Sequence, residues 1–273
     1  MSIKGDKKRT LIIAGNCQGS FLHKALQESP ELSDAYDIIY FRNFRKKDQG
    51  VLLPKHMAEC SILLEQIAHQ APELPNKEFA PPDCRIITFP ILWMNSLWPS
   101  VIDDPRNRPM PGYPGGPFPY GDRFLLNLLD QGVPPAKAVD HYFQLDVSAK
   151  VNLERFHEIN VAKAEQLDER ADVPLGKYVF DNFRQSNLFV TRNHPSMPML
   201  HYIRDRIFEA LGVTPPQSDL VAASGGMGQI HVPIHPSVAE HFGLAWYSPE
   251  YLYPYHKEQL TAREYFLRYA AFE

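Results

Sequence analysis

The chain has 273 residues, of which 44% are hydrophobic and 22% charged. These are ordinary values for a chain that buries a sizeable core, and they exclude wholesale disorder. A formal net charge of -4 supplies no global field for nucleic acid or an anionic membrane surface, so neither is an expected partner.

The opening run Leu11-Ile12-Ile13-Ala14 is too short for a signal-peptide core and has no small-residue cleavage site after it; it reads as a strand. No apolar stretch approaches the roughly 18 to 20 residues of a membrane span. Three cysteines, Cys17, Cys60 and Cys84, are few and odd in number. That argues against a disulfide framework and for a reducing, cytoplasmic setting.

Thr10 to Ala14 is the first strand, closed by Gly15. Gln18 to Glu28 follows as a helix with Phe21, Leu22, Ala25 and Leu26 on one face. Tyr36 to Phe41 is β-rich and forms a second strand. Ser61 to Glu65 and Arg85 to Phe89 are the third and fourth, apolar enough to be buried on both faces. Strands alternating with helical connections predict a parallel sheet, a Rossmann-like half of an α/β protein.

From Pro99 to Pro119 there are seven prolines, with Gly112, Gly115 and Gly116 among them. Such a segment is neither helix nor inner strand. Tyr113, Phe118 and Tyr120 make it too aromatic for a solvated linker, so it reads as an ordered loop beside a site. Beyond it the chain is mostly helical. Asp122 and Asn152 cap two helices, the first stopped at Gly132. A stripe of Leu200, Ile203, Ile207 and Leu211 marks a third, ended by Gly212. Thr261 and Glu264 stand at capping-box spacing before the last. The expected organisation is one α/β domain over 1–273, with a sheet half at 1–98, a Pro/Gly-rich active-site loop at 99–120 and a helical half at 121–273 packed on the sheet.

The sharpest chemical feature is Gly15-Asn16-Cys17-Gln18-Gly19, at the turn from the first strand into the first helix. Ligands of open α/β sheets bind at the carboxyl ends of strands. A thiol there faces the positive end of a helix dipole, which favours thiolate. Cys17 is therefore a candidate nucleophile, with the Gln18 N–H and the Asn16 side chain polarising a carbonyl. The alternative is a small buried cysteine at a tight glycine turn. Neither G-x-G-x-x-G nor the Walker pattern is present. The turn is similar to the Gly-Asp-Ser nucleophile turn of SGNH-type hydrolases with cysteine for serine. No Asp-x-x-His occurs anywhere in the chain, which argues against an ordinary enzyme of that kind.

Thr191-Arg192-Asn193-His194-Pro195 precedes the third helix, with Pro195 fixing its entry and His194 left exposed as a candidate general base. Capping or packing is the alternative. Glu65 and Gln66 end the third strand, next to Gly15 if that strand adjoins the first; Glu65 is placed to orient His194, to bind a sugar hydroxyl, or to cap the next segment. Arg42, Arg45, Lys46 and Lys47 follow the second strand, where basic side chains accommodate a ribose phosphate, or else form a solvated loop. Pro233 between His231 and His235 rules out a helical metal-binding face, and no metal is expected. Ser224 to Gly228 is a glycine-rich loop.

Taken together, Gly15-Asn16-Cys17-Gln18, Glu65-Gln66, Phe89-Pro90, Asn193-His194-Pro195 and Ile234-His235-Pro236-Ser237-Val238 resemble, in their order and spacing, the WcbI family of capsular polysaccharide biosynthesis acetyltransferases. The resemblance implies coenzyme A binding with acetyl-CoA as donor, O-acetylation of a polysaccharide sugar, and a cleft holding Cys17 and His194. The proline-rich loop is then expected to wall the acceptor site, with Tyr113, Phe118 and Tyr120 stacking on sugar faces. Coenzyme contacts are then expected at Gly15, Gln18, Gly19, Arg42, Arg45, Lys46 and Asn193. Two mechanisms are compatible with it: an acetyl-Cys17 enzyme discharged to a sugar with His194 as base, or direct transfer directed by His194. A thiol hydrolase, a non-catalytic module binding coenzyme A or glycan, and a sulfotransferase-like enzyme are the competing classes.

Overall fold

A computed structural model describes residues 8–42, 54–69, 79–217 and 230–272. The chain forms two compact units, each drawn from three segments. The first comprises Met1–Leu92, Val161–Asp181 and Pro195–Met227; the second, Trp93–Asn160, Asn182–His194 and Gly228–Glu273. In chain order the elements begin with β1 (Arg9–Gly15), α1 (Cys17–Gln27), α2 (Pro30–Ala35), β2 (Tyr36–Arg42), α3 (Pro54–Ala58), β3 (Cys60–Ile67) and β4 (Arg85–Pro90). They continue with β5 (Val101–Asp103), β6 (Tyr120–Asp122), α4 (Arg123–Asp130), α5 (Pro135–Phe143), α6 (Leu153–Asp168), α7 (Gly176–Asn182), β7 (Phe189–Thr191) and β8 (His194–Pro195). The last are α8 (Met197–Leu211), α9 (Pro236–Phe242), β9 (Tyr253–Tyr255), β10 (Glu258–Leu260) and α10 (Ala262–Ala270).

The first unit is built on a parallel four-stranded sheet of order β2-β1-β3-β4. Leu11, Ile12, Ile13 and Ala14 are fully buried, because helical connections cover both faces of a parallel sheet; that is why β1 reads as a continuous apolar run. Ile12, Ala14, Met57, Cys60 and Leu63 form one cluster, and the apolar face of α1, Phe21, Leu22, Ala25 and Leu26, is fully buried. The outer edge of β4 is satisfied locally. Asp172 accepts from the Thr88 N–H and hydroxyl, both at 2.8 Å, and the Val173 N–H donates to the Thr88 carbonyl at 3.0 Å, which leaves these groups unavailable to another strand. Chain order reverses between β1 and β3, so the carboxyl ends of these two strands form the topological switch point, the position where open α/β sheets hold ligands.

The entry to α8 differs from the sequence expectation. Ser196 is its N-cap and a proline falls within its first turn, so Pro195 lies outside the helix. Gly212, at φ 78°, ends it as expected, since the left-handed C′ position favours glycine.

In the second unit, Asp122 caps α4 with one oxygen, accepting from the Phe124 and Leu125 N–H groups. Its other oxygen accepts from the Ser100 hydroxyl at 2.5 Å and the Tyr142 hydroxyl at 2.9 Å. Both capping-box hydrogen bonds of Thr261 and Glu264 are present at α10. The core is aromatic: Phe118, Tyr142, Tyr255, Tyr265, Phe266 and Tyr269 pack together. Phe118, expected as a sugar-stacking ring, is only 4% exposed. Its ring stacks on Tyr255 at 5.3 Å, so it anchors the proline-rich segment instead.

Candidate active site

Within the first unit the chain leaves β1 through Gly15 and Asn16 and enters α1 at Cys17. Asn16 is the N-cap, its side-chain oxygen accepting the Gln18 N–H at 2.9 Å. The Gln18 N–H, expected to polarise a carbonyl together with the Asn16 side chain, is thus engaged with that side chain in capping the helix. Gln18 is 1% exposed, and its side chain ties the first turn of α1 to β3 and to the segment that follows β4. Its Nε2 donates to the Leu92 carbonyl at 2.9 Å, and its Oε1 accepts from Gln66 Nε2 at 2.8 Å. Gln66 Oε1 in turn accepts the Asn16 N–H at 2.9 Å. This buried amide pair places the turn against β3.

Gly15 is required by that contact: a Cβ there would stand 3.1 Å from Gln66 Oε1 and 3.2 Å from its Cβ. Gly19 is tight for a similar reason, with Tyr40 Cε2 3.1 Å from where its Cβ would be. Tyr40 donates to the Asn16 carbonyl at 2.5 Å and was not among the expected site residues. A glycine in the first turn of a helix is the one sequence signal of so close a neighbour. Glu65, as expected, lies beside β1; it pairs in register with Ala14 and is buried.

Arg42, the last residue of β2, pairs in register with Gly15, and its charge acts favourably on the Cys17 thiolate. Arg45, Lys46 and Lys47 lie outside the described residues, as does the glycine-rich loop 224–228.

Cys17 is half-buried, and burial raises its pKa. The backbone N–H groups of Cys17 and Gln18 and the charge of Arg42 oppose that shift without overcoming it. The expectation of a thiolate is corrected: at neutral pH the resting group is a thiol, because desolvation of the anion outweighs the helix terminus. Alkylation of Cys17 by iodoacetamide should accordingly be slower at pH 8 than that of a free thiol in a short peptide, and should still be rising above pH 9. A plateau by pH 7, read from the Cys17 peptide by mass spectrometry, would show that the helix terminus prevails.

His194 and Asn193 lie in the second unit. His194 is not exposed as expected but half-buried, which lowers its pKa and keeps the ring neutral. Its Nδ1 is 3.2 Å from the Tyr120 hydroxyl. That hydroxyl is 3.5 Å from Asn193 Oδ1, which also accepts from Thr191 Oγ1 at 3.3 Å. Tyr120, expected as a stacking ring, is therefore a hydrogen-bond partner of His194. His235 serves as the N-cap of α9, accepting the Ser237 N–H, with its Nε2 2.8 Å from the Tyr142 carbonyl.

A parallel sheet with a cysteine opening the first helix at the switch point, and an arginine in register beside the turn, defines an α/β protein whose candidate site is its first strand-to-helix turn. The family profile described as polysaccharide biosynthesis enzyme WcbI matches residues 10–216, and the chain belongs to that family. In fold it is similar to a solved structure of a native WcbI, described as a polysaccharide biosynthesis enzyme without a disulfide bond between coenzyme A and a cysteine. The likeness has a TM-score of 0.70 at 16% identity, and it covers 97% of this chain and 90% of the other. No curated protein matches the chain. Among the described residues, no helix is long and apolar enough to cross a membrane.

Proposed function

We propose that this polysaccharide biosynthesis enzyme is an O-acetyltransferase, moving an acetyl group from acetyl-CoA to a hydroxyl of a polysaccharide or sugar precursor. The observation that carries the reading is Cys17 at the first position of α1, at the β1/β3 switch point, with Arg42 in register beside Gly15. A helix N-terminus and a guanidinium suit the anionic part of a coenzyme A molecule. The solved WcbI structure is described in terms of coenzyme A and a cysteine, which supports the same choice of ligand. Arg42, with Arg45 and Lys46, would meet its phosphates.

In this reading the Cys17 sulfur adds to the thioester carbonyl, and the coenzyme departs as a thiol carrying the Cys17 proton. One thioester replaces another, so the step has little net driving force. The acceptor hydroxyl then attacks the carbonyl of acetyl-Cys17 and gives its proton to a base. The carbon–sulfur bond breaks, and the base passes that proton to the Cys17 sulfur, which leaves as a thiol. His194 is the base for that proton. With the Tyr120 hydrogen directed to Asn193, the Tyr120 oxygen accepts from His194 Nδ1–H and leaves the lone pair on Nε2. Tyr120→Phe should lower kcat about tenfold, the size of one lost hydrogen bond, while the KM for acetyl-CoA holds. An unchanged kcat would remove Tyr120 from the mechanism.

Binding is the direct test. Coenzyme A at a hundred times its Kd should stabilise the protein by about 2.7 kcal/mol, and dephospho-coenzyme A should do less at equal concentration. No thermal shift at millimolar coenzyme A refutes the reading. Acetate release without a sugar would mark a thiol hydrolase instead, and equal shifts for the two coenzymes would remove the basic cluster from the site.

A further inference from the structure

A separate hollow of about 540 Å³ lies within the second unit, lined by Pro111, Gly112 and Tyr113 of the proline-rich segment and His256, Lys257 and Glu258 of the β9–β10 hairpin. Its volume falls in the range of small-molecule sites. Both walls are held in place. Met110 and Tyr113 exchange backbone hydrogen bonds at 3.1 and 2.8 Å around Gly112, whose φ is 83°. Asn107 fastens the rest of the segment, donating to the Gly115 carbonyl and accepting the Phe118 N–H, both at 2.9 Å. Across the hollow, Glu258 pairs with Tyr255, so His256 and Lys257 form a two-residue turn.

That turn carries a residue out of place. His256 has φ 55° and, among the described residues, is the one non-glycine residue at positive φ. A hairpin turn of this kind favours glycine, which enters the left-handed region without a steric penalty. Backbone strain of this sort clusters at ligand sites. The His256 ring meets Tyr113 edge-on at 4.4 Å and Tyr255 at 4.8 Å, so the strained residue completes an aromatic wall with Tyr113. Arg268 holds both oxygens of Glu258 at 2.8 Å, which neutralises that carboxylate and leaves the Lys257 ammonium as the charge of the lining.

We propose that this hollow is a subsite for an acidic sugar of a glycan chain, with the sugar face on Tyr113 and His256 and its carboxylate toward Lys257. Aromatic rings supply broad amphipathic contact at low entropy cost, and a lysine supplies the counter-charge. Tyr113 and Tyr120 are seven residues apart in sequence, so the hollow is no more than about 25 Å of extended chain from the hydroxyl that meets His194. Tyr120 and His194 do not line it. The acceptor is therefore an oligosaccharide that reaches a second site, not a single sugar. This rests on the acetyltransferase reading for its role, but not for its measurement.

Hyaluronan oligosaccharides of two, four and eight sugars, with dextran oligomers of equal length as neutral counterparts, are titrated into the full chain without coenzyme. The uronate oligomers should bind more tightly with length, and Tyr113→Ala and Lys257→Ala should each weaken the longest by tenfold or more. His256→Gly separates binding from folding: glycine fits the turn, so melting temperature should hold or rise while glycan affinity falls. Absence of length-dependent binding to the unaltered protein overturns the proposal, as does His256→Gly or Tyr113→Ala binding like the parent. Equal affinity for dextran overturns the acidic sugar. A coenzyme A thermal shift measured on the same preparations reports separately on the acetyltransferase reading, so the two fail independently.

Discussion

Cys17→Ala should lose transfer by about a thousandfold or more, equivalent to some 4 kcal/mol of barrier, while still binding coenzyme A. Alanine is a good residue for the first turn of a helix, and the Asn16 cap and the Gln18–Gln66 pair do not use the sulfur, so the turn should survive the change. Mixing the unaltered enzyme with acetyl-CoA and no acceptor should leave the mass of one acetyl group on the Cys17 peptide. His194→Ala should accumulate that adduct and pass it on slowly. If Cys17→Ala transfers at a near-native rate, the covalent route is wrong and direct attack assisted by His194 takes its place. The raised pKa of Cys17 sharpens the test. A thiol that rests protonated is a poor nucleophile until substrate is in place, so adduct formation should accelerate with pH through and above the ordinary cysteine range.

The strands of the first unit were legible because a parallel sheet buries both faces, and unbroken apolar runs such as Leu11 to Ala14 follow from that. Caps were legible for a local reason. Asp122, Asn152, Thr261 and Glu264 bond to N–H groups two or three residues away, or at equally short range, and Gly132 and Gly212 sit in left-handed positions at φ 77° and 78°. What escaped were the side-chain hydrogen bonds between residues far apart in the chain. Gln66 reaches Asn16 across 50 positions, Gln18 reaches Leu92 across 74, and Tyr120 reaches His194 across 74. No spacing rule links such residues. The Cys17 pKa escaped for a related reason. A helix terminus can be read from sequence, whereas the burial that opposes it depends on what the fold lays over the thiol.

Gln66→Leu should destabilise the protein by about 3 kcal/mol, the cost of leaving buried polar groups without partners, or roughly 6 to 12 °C in Tm for a chain of this size. The Asn16 N–H would lose its acceptor and Gln18 Oε1 its donor from Gln66, in a site where Gln18 and Gln66 are 1% and 5% exposed. The branched leucine would also press on Gly15, which already lies close to the Gln66 side chain. Because the pair positions the turn, the same variant should change the alkylation rate of Cys17, although residue 66 supplies no proton and touches no reacting atom in the proposed mechanism. The double variant Gln18→Met with Gln66→Leu tests the pairing itself. Removing both amides should cost less than the sum of the single changes, since neither amide is then left buried without the other. Urea melts of the four proteins read that difference, and strict additivity, or an unchanged Tm in Gln66→Leu, would mean that something other than this amide pair holds Cys17 at the end of β1.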